Sequence, residues 1–173
     1  MLIPLVTDIE DMSEGILSLD QMKTSITVAL SEEQGMNDLF LFSKHFEQSS
    51  DRLQWLGLKE LHYFVFQYFR YVEDGIMRQG IKPPALAFRT RNAGCDCKTL
   101  AYFIYTVLHH LHLPRQMILL EYEPIRQPDG IIRQCHLFPS TWILGKWWYL
   151  DASIYDFNWQ PIKGSLSIIW EAY

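Results

Sequence analysis

The feature that most constrains the fold is a change of period at Pro114. Before it, Leu100, Ala101, Ile104, Leu108 and Leu111 recur at the spacing of a helix, with Cys97 at its head. After it, three runs rich in β-branched and aromatic residues read as strands: Gln116 to Tyr122, Ile131 to Phe138 and Trp142 to Leu150. Asp129-Gly130 and Gly145-Lys146 supply the turns between them. A helix followed by an antiparallel sheet predicts an α+β fold, with the helix of Cys97 packed on the sheet.

Upstream, Leu61, Val65, Tyr68, Phe69 and Val72 predict a helix over Leu58 to Asp74, broken by Gly75 and Gly80. Lys82-Pro83-Pro84 opens an extended crossing segment that ends at Arg89 to Gly94, because a residue before proline avoids helical angles. Residues 1–57 are expected to form a largely helical N-terminal extension packed on a core of residues 58–173, the whole being a single domain. Within the extension, Ile3 to Val6 reads as a short strand and Asp8 to Asp20 as a helix, while Thr24 to Leu30 is ambiguous. A further helix, capped by Asn37 or Asp38, runs to about Gln48 with Leu39, Phe42 and Phe46 on one face, and Ser49-Ser50-Asp51 punctuates.

Bulk composition narrows the function classes. Of 173 residues, 49% are hydrophobic, and the net charge is −5, which excludes general disorder and gives no broad attraction to nucleic acid. No run is long and apolar enough for a membrane span, and no basic segment precedes Met1 to Val6 to make a signal peptide. Three cysteines, Cys95, Cys97 and Cys135, argue against a disulfide framework and for reduced thiols, as in the cytoplasm. A virion-associated location is the other expectation.

The stretch Gly94-Cys95-Asp96-Cys97-Lys98-Thr99 carries the chemistry. It places Cys97 in the first turn of a helix, where unpaired N–H groups and the helix dipole favour a thiolate, the form that acts as a nucleophile. Asp96 is the N-cap candidate, and the backbone N–H of Cys97 can serve one arm of an oxyanion hole. A thiolate needs a base, and the base needs orienting. His136 lies in the second predicted strand and Asp151 ends the third, so a hairpin turning near Gly145 brings them to the same end of the sheet.

These residues resemble the transglutaminase-like superfamily. Asp96 to Ala101 is similar to that family's helix start, His136 to its strand histidine, and Gly145-Lys146-Trp147-Trp148-Tyr149-Leu150-Asp151 to its glycine, tryptophan, Leu-Asp run. The resemblance covers residues 58–158. It implies a papain/transglutaminase-like core, Cys97, His136 and Asp151 as catalytic triad, and acyl transfer through a thioester. Peptidases, amidases and protein cross-linking enzymes share that chemistry, and a protein or peptide substrate with no cofactor follows from it. Where the family has glycine before Asp-Cys this chain has Cys95, and Leu137 follows the histidine where an aromatic residue is usual. Gln79 is the positional candidate for the second oxyanion donor. The compact build resembles small prokaryotic or phage-encoded members.

Other residues have plainer readings. Cys95-x-Cys97 is too strained for an easy disulfide, and Cys135 is expected to pack on the face opposite His136. His109, His110 and His112 match no zinc spacing and suit the dipole of a helix C-terminus. The tryptophans at 142, 147, 148, 159 and 170 read as packing rather than a groove, and Arg89 and Arg91 either recognise an acidic group or lie on a solvated loop. A non-enzymatic structural or assembly protein that keeps the fold is the alternative function.

Overall fold

The computed structural model describes residues 37–73, 81–123, 125–127, 130–132, 135–161 and 164–172. Ile3 to Val6, Asp8 to Asp20, Thr24 to Leu30, Gly75, Gln79 and Gly80 lie outside them. The described residues form four α-helices and an antiparallel sheet: α1 (Asn37–Lys44), α2 (Asp51–Tyr68), α3 (Pro84–Arg89), α4 (Cys97–His110), β1 (Arg115–Glu121), β2 (Ile125–Gln127), β3 (Gly130–Ile132), β4 (Cys135–Ile143), β5 (Lys146–Tyr149) and β6 (Ser165–Ala172). This is the expected α+β arrangement.

The helix α4 is the centre of the molecule. Every residue from Lys98 to Leu108 is buried, so it is enclosed on all sides rather than carrying one apolar stripe. One side, through Leu100, Ile104, Val107 and Leu108, meets Leu39, Leu58, Leu61, Val65, Ile143, Leu150 and Ala152. The other, through Ala101, Tyr102 and Tyr105, meets Met117, Leu119, Leu137 and Ile169 of the sheet. Each such aliphatic side chain taken from water contributes about 1.5–3 kcal/mol, so α4 is the best-anchored element. Ile118, Leu120 and Phe138 alternate with these sheet residues and pack with Tyr149 and Trp159 in a third cluster.

The helix α2 begins seven residues earlier than its periodicity suggests and ends at Tyr68 rather than Asp74. Ser50, extended at φ −142°, occupies the N-cap position. Gln54 then holds the α1–α2 connection, accepting from Gln48 N at 2.9 Å and donating to Phe46 O at 2.8 Å. Gly57 allows this approach, since a Cβ there would meet Phe46 O at 2.7 Å. The α2 helix therefore runs through the 57/58 boundary, and Leu39 and Phe46 share a core cluster with Leu58. Beyond Tyr68 the chain exchanges helix bonds for a parallel bridge between Tyr71 and Cys95: Cys95 N donates to Arg70 O at 2.8 Å and Val72 N to Cys95 O at 3.0 Å. Tyr68 and Val72, expected on the buried face, are exposed as a result.

Lys82-Pro83-Pro84 does not open an extended segment. Pro84 is the first residue of α3 and Ala87 N bonds to Pro83 O at 2.8 Å, because proline's fixed φ suits the first helical position. Phe88 of α3 stacks on Phe103 of α4 at 6.0 Å, and α1 ends at Lys44, short of Gln48.

The main sheet has the order β5-β4-β1-β6, and β2 pairs with β3 in a separate hairpin. The predicted strand Ile131 to Phe138 is in fact two, β3 and the start of β4. The predicted strand Trp142 to Leu150 is the end of β4, a turn, and β5. That turn is Leu144-Gly145, both at positive φ (54° and 75°), the primed geometry that matches strand twist. The edge strand β6, paired with β1, has no counterpart in the sequence reading. Among the described residues no helix is long and apolar enough to cross a membrane.

Candidate active site

The site forms where the N-terminus of α4 meets the start of β4 and the end of β5. Asp96 caps the helix: it is extended at φ −88° and ψ 178°, and its Oδ1 accepts from Thr99 N at 2.9 Å. Its other oxygen is ion-paired with Lys98. Cys97 follows as the first helical residue, partly exposed and with a free thiol. The first intrahelical bond runs from Leu100 N to Asp96 O, so the N–H groups before it point out of the helix end.

The nucleophile turn is held from outside. The Tyr71–Cys95 bridge fixes one side, and Lys82 Nζ donates to Gly94 O on the other. Gly94 sits at φ 105°, and a Cβ there would lie 2.8 Å from Val72 Cγ2, so only glycine fits this turn without displacement. Cys95 is buried behind the turn, where burial pushes its thiol up, which makes it a poor partner for redox chemistry with Cys97.

The three residues singled out in the sequence come together. His136 Nε2 lies 2.6 Å from Asp151 Oδ2, with Asp151 buried and His136 nearly so. Cys97 is close enough to act on the His136 imidazole. With Nε2 engaged by the carboxylate, Nδ1 is the ring nitrogen left for another partner. Burial opposes the charged imidazole, yet the hydrogen bond to Asp151, its charge and the nearby Cys97 carry His136 up to about 10. Asp151 reaches this position because Leu150 N bonds to Pro139 O at 2.9 Å, which continues the β4–β5 pairing past Tyr149.

Several neighbours were not singled out from the sequence. Ser153 Oγ donates to Asp151 Oδ1 at 2.6 Å, and Ser153 N donates to the same oxygen at 3.2 Å. An Asp with a Ser two residues on is a turn signature that points to this contact. His62, buried in α2, donates from Nε2 to Tyr155 O at 3.1 Å and so ties down the loop after Asp151. Burial lowers its basicity, and its Nδ1 has no hydrogen-bond partner. Tyr71 and Tyr122 lie near Cys97 and Asp151, partly exposed. Burial pushes both phenols up, and Cys97 and Asp151 add to the shift. No sequence pattern marks either tyrosine.

The remaining candidates fall elsewhere. Arg91 donates to Phe88 O at 2.8 Å and lies over the Phe88 ring, a structural use rather than anion recognition. Trp148 donates to Ile143 O at 3.0 Å and stacks with Phe157, and Trp159 packs on the third cluster. Trp142 is exposed. Cys135 packs toward Ala101 and Leu137, off the face of His136 and Phe138. His109 accepts from Arg115 at 2.8 Å, at the far end of α4. Among the described residues no group of three His, Cys, Asp or Glu side chains is arranged to hold a metal. Comparison with family models, curated proteins and solved structures finds no match for this chain, so the site is interpreted from its own geometry.

Proposed function

We propose that the chain is a cysteine-dependent acyl-transfer enzyme with a papain/transglutaminase-like core, acting on an amide bond of a protein or peptide. The observation that carries this reading is the grouping at one point: Cys97 at a helix N-terminus, close to His136, which lies 2.6 Å from buried Asp151. The order of nucleophile helix, histidine strand and aspartate at the next strand end supports the core assignment.

In this mechanism the Cys97 thiolate attacks the carbonyl carbon, and the C=O π electrons move to oxygen beside the N–H groups of the helix start. Collapse of that intermediate breaks the C–N bond, and the leaving amine takes the proton from His136 Nδ1. The thioester on Cys97 is then attacked by water or an amine, whose proton returns to His136, and collapse of this second intermediate breaks the C–S bond, releasing the acyl product and the Cys97 thiolate. Asp151 keeps the imidazole oriented and balances its charge throughout.

The test uses p-nitrophenyl acetate as an activated acyl donor, with acid quenching and mass mapping. The reading expects a burst of nitrophenolate matched by one acetyl group on Cys97, lost in Cys97→Ser and strongly slowed in His136→Ala. No adduct on Cys97, or an equal adduct in His136→Ala, overturns it. Faster release with an added primary amine identifies transamidation.

A further inference from the structure

The carboxylate of Asp151 is held at both ends. Oδ2 faces His136 Nε2 at 2.6 Å, while Oδ1 receives the hydroxyl of Ser153 at 2.6 Å and its amide at 3.2 Å. Ser153 Oγ also lies 3.3 Å from His136 Nε2. The hydroxyl has one proton, and the shorter contact gives it to Asp151. A lone pair of the same oxygen is then left toward the imidazole N–H. One small side chain thus touches both members of the pair that orients the candidate base.

We propose that Ser153 is a positioning residue: its hydroxyl and amide pin Oδ1 of Asp151, so that Oδ2 stays in the plane of His136 and Nδ1 stays aimed at Cys97. The inference builds on the acyl-transfer reading, although the contact it describes exists independently of it. Three features give Ser153 this role rather than simple packing. Its hydroxyl is committed to a charged acceptor, the stronger class of hydrogen bond. Its amide repeats the same bond, closing a local turn. The loop that follows is fixed separately, by Ile154 N on Asp151 O at 3.1 Å and by His62 on Tyr155 O, so Ser153 is not needed to hold the chain in place. The ionisable groups around the pair are Cys97, Asp151, Tyr71, Tyr122 and His62.

The experiment is a 15N-histidine NMR titration of His136 in the full chain, beside the pH–rate profile of Cys97 alkylation by iodoacetamide. Wild type, Ser153→Ala, Ser153→Gly and Ser153→Thr are compared. Loss of the hydroxyl, which removes the lone pair facing the imidazole N–H and lets Oδ2 turn from it, is expected to lower the His136 midpoint by about one pH unit. It is also expected to slow alkylation on the acid side roughly tenfold, with rates converging in alkali. Ser153→Thr keeps the hydroxyl and should retain the wild-type midpoint. Ser153→Gly retains the amide and gives the same answer if the alanine variant folds poorly. The proposal is overturned if Ser153→Ala and Ser153→Gly titrate like wild type, or if Ser153→Thr loses as much as they do alongside a drop in Tm. A His136 midpoint that responds to Ser153 while p-nitrophenyl acetate leaves no adduct would sink acyl transfer and leave the positioning role standing.

Discussion

The two ends of α4 gather similar side chains and treat them oppositely. At the N-terminus, His136 is partnered by Asp151 and Cys97, and its imidazole is held charged to about pH 10 despite burial. At the C-terminus, burial comes first for both His109 and His110; Arg115 then adds to it for His109, and His109 and His112 for His110, so both are lowered. The dipole alone favours cations at the C-terminal end. Here it is outweighed by a guanidinium 2.8 Å from His109 Nδ1, which makes that nitrogen an acceptor. Burial, reinforced by nearby charges, lowers the histidines at one end, while Asp151 and Cys97 raise His136 at the other against its burial. One end is thereby equipped for proton transfer, while the other is a structural knot in which Arg115 also donates to Leu113 O at 3.2 Å.

The sharpest way to break this contrast is His136→Ala. It should lower the alkylation rate of Cys97 at mildly acidic pH on the order of 100-fold, whereas His109→Ala should leave it unchanged. Gly94→Ala comes next. It forces a β-carbon onto Val72 and an unfavourable φ, so it should cost about 1–3 kcal/mol by urea unfolding and slow the thiol as the turn shifts. At the other end, Arg115→Met leaves Leu113 O and His109 Nδ1 without their donor. We expect a loss of about 1–3 kcal/mol and a rise in the His109 titration midpoint, with Cys97 reactivity intact.

The pH dependence of stability should show both ends at once. His136 is raised on folding, so its contribution is complete below its ordinary value of 6.5 and is lost as pH rises toward about 10. His109, His110 and His62 are lowered, so their neutral forms favour the fold above 6.5, and that contribution is lost as pH falls through their depressed values. His136→Ala should flatten the alkaline limb of Tm against pH and leave the acid limb in place.

The site was more legible than the fold around it. Asp96-Cys97 at the head of a periodic run, a strand histidine and Leu150-Asp151 are local signals, and the structure brings those three residues together. The errors arose where tertiary partners override local preference. Tyr68, Phe69 and Val72 continue the helical period, but backbone pairing of Arg70 and Val72 with Cys95 ends α2 early. Pro83-Pro84 is a helix start because Ala85 and Ala87 bury against the core, which a dipeptide rule cannot register. Strand β6 is anchored by Ile169 beneath α4 but exposes Leu166 and Ile168, which blurs its alternation. The two tyrosines near the site depend on chain positions far apart in sequence, whereas Ser153, two residues after Asp151, is a local turn signal that was overlooked.

The central claim is that His136 activates Cys97 as a nucleophile. The direct measurement is the second-order rate of iodoacetamide with Cys97 at pH 6, mapped by mass spectrometry, in wild type and His136→Ala. The account predicts rapid labelling in wild type and a loss on the order of 100-fold in the variant. Slow labelling in both, rising only as pH enters the ordinary thiol range, would contradict it.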